Sequence, residues 1–567
     1  MTPPAAAVPQ AFAKADRLFA IFFFGTALVF RILFAYHFRV DSDEPQHLHV
    51  VWAWTHGFLP YRDVFDNHTP VFQALSAPLF HLLGVRPDIV FPMRLAMIPL
   101  FALTIWCVWK ITASIFPLRV ALWTAVLVTF IPPFFLTSIE FRPDELWTMV
   151  WLLTLTVFLT GRATVARAFS VGFLLGLAFS VSMKTSLLAV SLMLACIGVI
   201  LMLRHAGQPI GPGRLLKYLG AAMLGVTVVP MLVMLFFVSN SAGPQMLYCV
   251  IGHNVLPGVT SAPKILKSAV RWLAWLPVEF LGIWIIWRLR ETLAIRLRLA
   301  LIFLAGAFYY TTLVCFWPIR EAETYLPFFP VIAIAVAPSV LWLAAFVSRR
   351  TRLSAFILPA LIVAVEILLI FKNESPFVDK TADKIGMIAD TLKLTDESEY
   401  VMDSKGETIY RRRPFYYVLD RITKERIHRK LIHDDIPQRL IETRAPLATT
   451  CRMPEAAVVF IKANYLPIAF RLSALGKTVR LGDEPEKEPT TFEVVIPSRY
   501  TLVCASGKIA GILDGAPFEG PRELAAGRHV FRQTAGTGRV ALVLAQAIER
   551  GYSPFAAIKT DYSTQQD

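Results

Sequence analysis

The sequence predicts an α-helical integral membrane protein: a bundle of about eleven spans with a large first outer loop, followed by an extracytoplasmic α/β and β-rich C-terminal region. Three observations predict it. The 567 residues are 56% hydrophobic and 17% charged, where soluble domains average roughly 45–50% and about 25%. The excess falls in repeated runs of spanning length, more than one buried core can absorb. Lys and Arg collect in alternate short loops, and Asp and Glu in the others. These features exclude an ordinary cytosolic enzyme, a disordered chain and a disulfide-stapled secreted scaffold. They also exclude an outer-membrane barrel, whose strands would alternate apolar and polar residues.

The first apolar run, Leu18 to Tyr36, follows Lys14 and Arg17, contains Arg31 and has no small-residue cleavage site, so it reads as a retained helix. Later spans are expected near 95–116, 119–138, 144–161, 165–182, 185–203, 216–239, 273–288, 297–317, 325–347 and 353–371. With the N-terminus inside, the cytoplasmic loops hold Arg119, Arg162, Arg167, Arg204, Arg214, Lys217, Arg288, Arg290, Arg349 and Arg350. The opposite loops hold Asp41, Asp43, Glu44, Asp63, Asp66, Glu140, Asp144, Glu321 and Glu323. The tail from about 372 then lies outside the cytoplasm, as expected for a multi-pass protein of the inner (plasma) membrane. Of the net charge of +15, residues 372–567 contribute only +3, with 29 basic and 26 acidic residues. Most of the positive charge therefore marks topology, and no nucleic-acid partner is expected.

The expected organisation is a catalytic membrane domain over 1–371, with outer loops at 37–93 and 240–272, then an α/β region over 372–490 and a small β-rich region over 491–567. Strand-like runs at Tyr400–Met402, Ala457–Ile461 and Phe492–Ile496, with turns at Asp514-Gly515 and Gly536-Thr537-Gly538, support that division. Six cysteines show no CxxC pair and no metal spacing; Cys451 and Cys504, in the polar tail, either pair or stand as two free thiols.

The densest ionisable cluster is Asp41-Ser42-Asp43-Glu44-Pro45-Gln46-His47-Leu48-His49. Asp41 and Glu44 have capping-box spacing, which explains two of the carboxylates as a helix start. Capping does not require Asp43, and an acid outside a spanning helix suits a general base or a metal ligand. His47, His49 and, further on, His68 are the accompanying metal candidates, for a divalent ion of the Zn²⁺ or Ca²⁺ type. A second cluster, Tyr61-Arg62-Asp63 through Asp66-Asn67-His68-Thr69-Pro70, mixes aromatic and polar residues as a sugar surface or a membrane interface would. Arg142-Pro143-Asp144, Lys184, and Arg320 with Glu321, Glu323 and Tyr325 place isolated charges at outer span ends. Snorkelling explains each one alone; convergence would make them a phosphate site. Arg411-Arg412-Arg413, beside Tyr416 and Tyr417, reads as a solvated charge run or a grip for an anionic acceptor.

In this order the motifs resemble those of the GT-C polytopic glycosyltransferases, in the branch of protein O-mannosyltransferases and the lipid A aminoarabinose transferase. The resemblance covers about 18–372 and rests on Asp43-Glu44, the loop ending at Pro70, Arg94, Arg142-Pro143-Asp144, Gly176-Leu177-Ala178 with Met183-Lys184-Thr185, and Tyr325-Leu326-Pro327 with Pro330. It implies an inverting transfer of a sugar from a polyprenyl-phosphate donor to a hydroxyl of an envelope lipid, glycan or protein at the outer face. Asp43 would be the base and Glu44 its support. Lys184, Arg320 and Tyr325 would hold the donor phosphate, and Asp66, His68, Arg94, Arg142 and Asp144 would contact the acceptor or its loop. Gln46-His47, His68-Thr69-Pro70 and Thr324 depart from the family pattern and leave acceptor and metal open. Two other classes stay in view: a flippase for lipid-linked saccharides, which would favour mid-membrane charges and internal repeats, and a non-catalytic envelope assembly protein. Nothing in the sequence specifies the sugar or the oligomeric state.

Overall fold

The computed structural model describes residues 14–256, 277, 284, 292–317, 321–480, 489–505, 507, 509–535 and 538–558. Its helices, in chain order, begin with α1 (Lys14–His37), α2 (Asp43–Thr55), α3 (Val71–Leu83), α4 (Val90–Leu95), α5 (Met97–Ala113) and α6 (Leu118–Phe130). There follow α7 (Pro132–Thr137), α8 (Pro143–Leu159), α9 (Val165–Val181), α10 (Thr185–His205), α11 (Pro212–Ser239) and α12 (Gly243–Leu247). After these come α13 (Leu293–Phe316), α14 (Phe329–Arg350) and α15 (Ile357–Asn373). Among the described residues, six stretches are long and apolar enough to cross a membrane: α1, α4 with α5, α10, α11, α13 and α14. The run expected over 119–138 is broken into α6 and α7, because Pro132 and Pro133 cannot donate to a continuing helix. The run at 273–288 falls almost entirely outside the described residues.

Two compact units emerge. The first comprises residues 1–39, 67–76 and 90–379. Its helices pack closely where side chains are small: a Cβ on Gly172 of α9 would lie 1.9 Å from the Ala222 carbonyl oxygen of α11, so only glycine permits this approach. Gly176, one turn on, meets Val226 in the same way. An aromatic-rich core of Phe23, Phe34, Trp123, Phe130 and Phe135 joins α1, α6 and α7.

The second unit comprises residues 40–66, 77–89 and 380–567. The first unit runs to Asp379 and the second resumes at Lys380, and residues of the first outer loop are divided between the units. The tail continues with α16 (Ala382–Leu394), α17 (Arg421–His428), α18 (Ile436–Thr443), α19 (Glu455–Asn464) and α20 (Ala545–Glu549). Its strands are β1 (Val401–Met402), β2 (Leu447–Ala448), β3 (Tyr465–Ala469), β4 (Leu472–Arg480), β5 (Thr490–Val494), β6 (Ser498–Cys504), β7 (Ala510–Leu513), β8 (Ala516–Pro517), β9 (Arg522–Leu524), β10 (Gly527–Ala535) and β11 (Val540–Leu544). They form a seven-stranded sheet ordered β1-β2-β4-β11-β6-β9, with β3 beside β4, and a four-stranded sheet ordered β5-β10-β7-β8. The larger sheet draws strands from both sides of position 490. The expected strand at Ala457–Ile461 is instead part of α19. Ala457 and Ile461 are four residues apart and both buried, so helical spacing overrides the β-branched composition. Cys451 and Cys504 are free thiols.

Candidate active site

In the first unit the predicted outer-face charges form one chain of ion pairs. Asp144 opens α8 behind Pro143, the favoured first-turn residue, and is buried. Lys184, at the start of α10, reaches it with Nζ 2.8 Å from Oδ1. Arg142 lies 3.5 Å from the other Asp144 oxygen, 3.0 Å from Glu323 and 3.5 Å from Glu140. Arg39 reaches Glu140 at 3.6 Å. Trp147 shields the lysine, its ring 5.7 Å from Nζ, and donates to the Thr185 hydroxyl at 2.9 Å. His68 is within electrostatic reach of Asp144. Glu323 sits in the 3-10 turn Ala322–Tyr325, so the same turn that binds Arg142 presents Tyr325, half-buried, with its ring 6.1 Å from that of Tyr310. Arg142, Asp144, Lys184 and the Tyr325 turn are therefore brought together. Arg320 lies outside the described residues. Arg94 is buried and donates to the carbonyls of Ala35, Phe38 and Arg39 at 3.3, 2.8 and 2.7 Å, tying down the end of α1.

In the second unit the acidic cluster divides by role. Glu44 accepts the Asp41 N–H at 2.9 Å, and Asp41 accepts the Asp43 N–H at 3.0 Å; these two acids build the start of α2. The carboxylate of Asp43 instead meets Lys405, with Nζ 2.6 Å from Oδ1. Lys405 is 362 residues away in sequence and was not among the expected site residues. Its own stretch, Asp403-Ser404-Lys405-Gly406-Glu407-Thr408, looks like an ordinary polar turn. The one hint was a run of hydrogen-bonding residues directly after a strand.

That turn is rigidly built. Asp403, fully buried, accepts from the Gly406 and Thr408 N–H groups at 2.6 and 2.9 Å and from Arg413 at 3.0 Å. Glu407 accepts from the Ser404 and Lys405 N–H groups, each at 2.9 Å. Arg413 also donates to the carbonyls of Ser404 and Tyr417, and Arg411 to those of Thr395 and Tyr410. Arg412 lies 5.0 Å over Phe58 and 4.7 Å over Tyr400. The three arginines expected as a solvated run or an acceptor grip are thus internal struts. Tyr416 donates to the Tyr61 carbonyl, and Phe65 packs against Tyr416 and Tyr417 with Asp66 buried beside it.

Of the metal candidates, His47 and His49 lie in the second unit and His68 in the first. His49 is bonded through Nδ1 to the Ile409 carbonyl at 2.7 Å. Burial pushes its pKa down to about 4, against the raising effect of that bond and with a further push from Arg413. His47 is buried in the same helix. Among the described residues no group of three His, Cys, Asp or Glu side chains is arranged to hold a metal ion. Part of the ligand set expected for one, His49, is already committed to the protein itself.

The fold defines a class: a polytopic helical membrane protein of the GT-C type of fold. Residues 67–234 match the family model described as dolichyl-phosphate-mannose-protein mannosyltransferase. The fold is shared with ArnT from Cupriavidus metallidurans in the apo state, at 14% identity and a TM-score of 0.56, covering 82% of this chain and 98% of that one. The same ArnT bound to undecaprenyl phosphate gives a TM-score of 0.55 at 14% identity, over 82% and 98% of the two chains. No curated protein matches the chain.

Proposed function

We propose that this protein is an inverting membrane glycosyltransferase. It moves a sugar from a polyprenyl-phosphate donor to a hydroxyl of an envelope acceptor at the periplasmic face. The observation that carries this reading is the division of labour at the start of α2: Asp41 and Glu44 build the helix end, while the Asp43 carboxylate is left to meet Lys405. The family match over 67–234 and the undecaprenyl phosphate bound by the ArnT relative support the donor class.

In the reaction, Asp43 takes the proton of the acceptor hydroxyl, and the oxygen attacks the anomeric carbon from the face opposite the phosphate. The bond from that carbon to the phosphate oxygen breaks, its electron pair leaves on the lipid phosphate, and the configuration inverts. Cationic side chains at the phosphate stabilise the charge that develops there. Lys184 serves this role, assisted by Tyr325 and by Arg320. Glu44 fixes the helix start from which Asp43 projects. Asp66, His68, Arg94, Arg142 and Asp144 shape the acceptor side or its loops. The Lys and Arg distribution supports an inner-membrane protein with its N-terminus in the cytoplasm and its tail outside.

Asp43→Asn keeps size and removes the base. Transfer from a synthetic polyprenyl-phosphate sugar should fall by a factor of about 10² or more, the lower range for general-base loss, while expression holds. Wild-type transfer by Asp43→Asn would refute the assignment.

A further inference from the structure

Two buried charges of the first unit take no part in the reaction above: Arg31 of α1, 2% exposed, and Glu145 of α8, 1% exposed. Both meet α5. In α8, residues 144 and 147 share one side of the helix, and residue 145 lies about 100° round from 144. Asp144 and Trp147 accordingly meet Lys184 and Thr185 at the start of α10. Glu145 turns to α5 and accepts from the Thr104 hydroxyl at 2.8 Å. Phe101, three residues before Thr104, has its ring centroid 3.7 Å from Cζ of Arg31.

Arg31 also forks onto Ser138, with Nη1 2.9 Å from the hydroxyl oxygen and Nη2 donating to the carbonyl. Ser138 ends α7, and Glu145 stands in the first turn of α8. The two grips therefore hold both ends of the connection that carries Glu140, Arg142 and Asp144. Stability gives little reason for using charges here. Arg31 and Glu145 are within electrostatic reach of each other. Yet Arg31 Nε and Glu145 Oε2 each make no hydrogen bond among the described residues. Buried opposite charges often add no net stability over apolar side chains of similar volume. What they add is geometry: a guanidinium fork fixes its acceptor in two directions at once.

We propose that Arg31 and Glu145 are positioning residues. They clamp the two ends of the 138–145 connection, so that Asp144 and Arg142 hold the Lys184 ammonium in register for the donor phosphate. The inference rests on the reading of Lys184 as a ligand of that phosphate. Neither residue touches the substrate; each acts through Asp144 and its lysine. A displacement of about 1 Å in such a constellation costs up to about 10² in function.

The test is binding of undecaprenyl phosphate to the full-length protein in detergent, with the melting temperature measured alongside. Arg31→Lys keeps the charge beside Glu145 but loses the fork onto Ser138. It should hold most of the melting temperature and bind about tenfold more weakly. Glu145→Leu, which loses the Thr104 bond, should bind about as weakly, and Glu145→Gln, which keeps an acceptor for Thr104, should recover most of the loss. Arg31→Met with Glu145→Gln removes both charges, so it should fold better than Arg31→Met alone and still bind weakly. Wild-type binding by Arg31→Lys, by Glu145→Leu or by that double variant overturns the positioning role. Arg31→Lys added to Lys184→Met should bind no worse than Lys184→Met, because Arg31 acts through that lysine. Additive losses would give Arg31 a role of its own and overturn the inference. Wild-type binding by Lys184→Met would instead overturn the reading of Lys184 as a phosphate ligand, on which the inference stands.

Discussion

Gly406→Ala tests whether the tail turn is held against α2 by the contacts described. Two costs follow from the geometry. Alanine at a φ of +85° pays about 1–2 kcal/mol in backbone strain. Its methyl would also meet the His49 Cβ, Cγ and Cδ2 at 2.7, 2.8 and 2.9 Å, an overpacking worth about 1–3 kcal/mol. The imidazole cannot simply step aside, because its Nδ1 bond to Ile409, at 2.7 Å, ties it to the same turn and is worth about 1 kcal/mol net. The expected penalty is about 2–5 kcal/mol, placed where Lys405 leaves the backbone. Hydrogen exchange with mass spectrometry would read it as faster exchange, by about 30-fold or more, in peptides covering 403–413 and 43–55. Transfer activity should fall with it. Gly386→Ala is the control: it lies in α16 with nothing within 4 Å of where the added methyl would sit, and should leave exchange at 403–413 unchanged. Wild-type protection of both peptides in Gly406→Ala would refute the reasoning.

Lys184→Met should lower the melting temperature, because it removes one partner from the buried Asp144; breaking such a pair costs about 3–5 kcal/mol, less here because Arg142 remains at 3.5 Å. Adding Asp144→Asn should recover part of that loss, and a double variant no more stable than Lys184→Met would contradict the pairing. His49, held neutral by burial at a pKa of about 4 against an ordinary 6.5, makes the second unit acid-labile. The unfolded chain takes up the proton first, so this contribution is complete above pH 6.5 and declines as pH falls toward 4, by up to about 3 kcal/mol. Thermal melts between pH 4 and 7.5 should show that slope, and His49→Gln should flatten it; an unchanged slope would assign the acid sensitivity to other groups.

The membrane part was legible because its signal is local. An apolar run of about 20 residues announces a span wherever it occurs. Acids collected on one side of those runs, so Arg142, Asp144 and Lys184 could be nominated from sequence, and the structure joins them through ion pairs of 2.8 and 3.5 Å. The tail was less legible because its organisation is non-local. β4 pairs with β2, β3 and β11, and the helix α19 hides in a β-branched run that passes directly into β3. Lys405 is the sharpest case. Nothing in its neighbouring sequence marks it as special, and its meaning comes from Asp43 near the other end of the chain. The arginines at 411–413 mislead for the same reason: their partners, Asp403, Thr395 and the Tyr417 carbonyl, lie outside the run that draws attention.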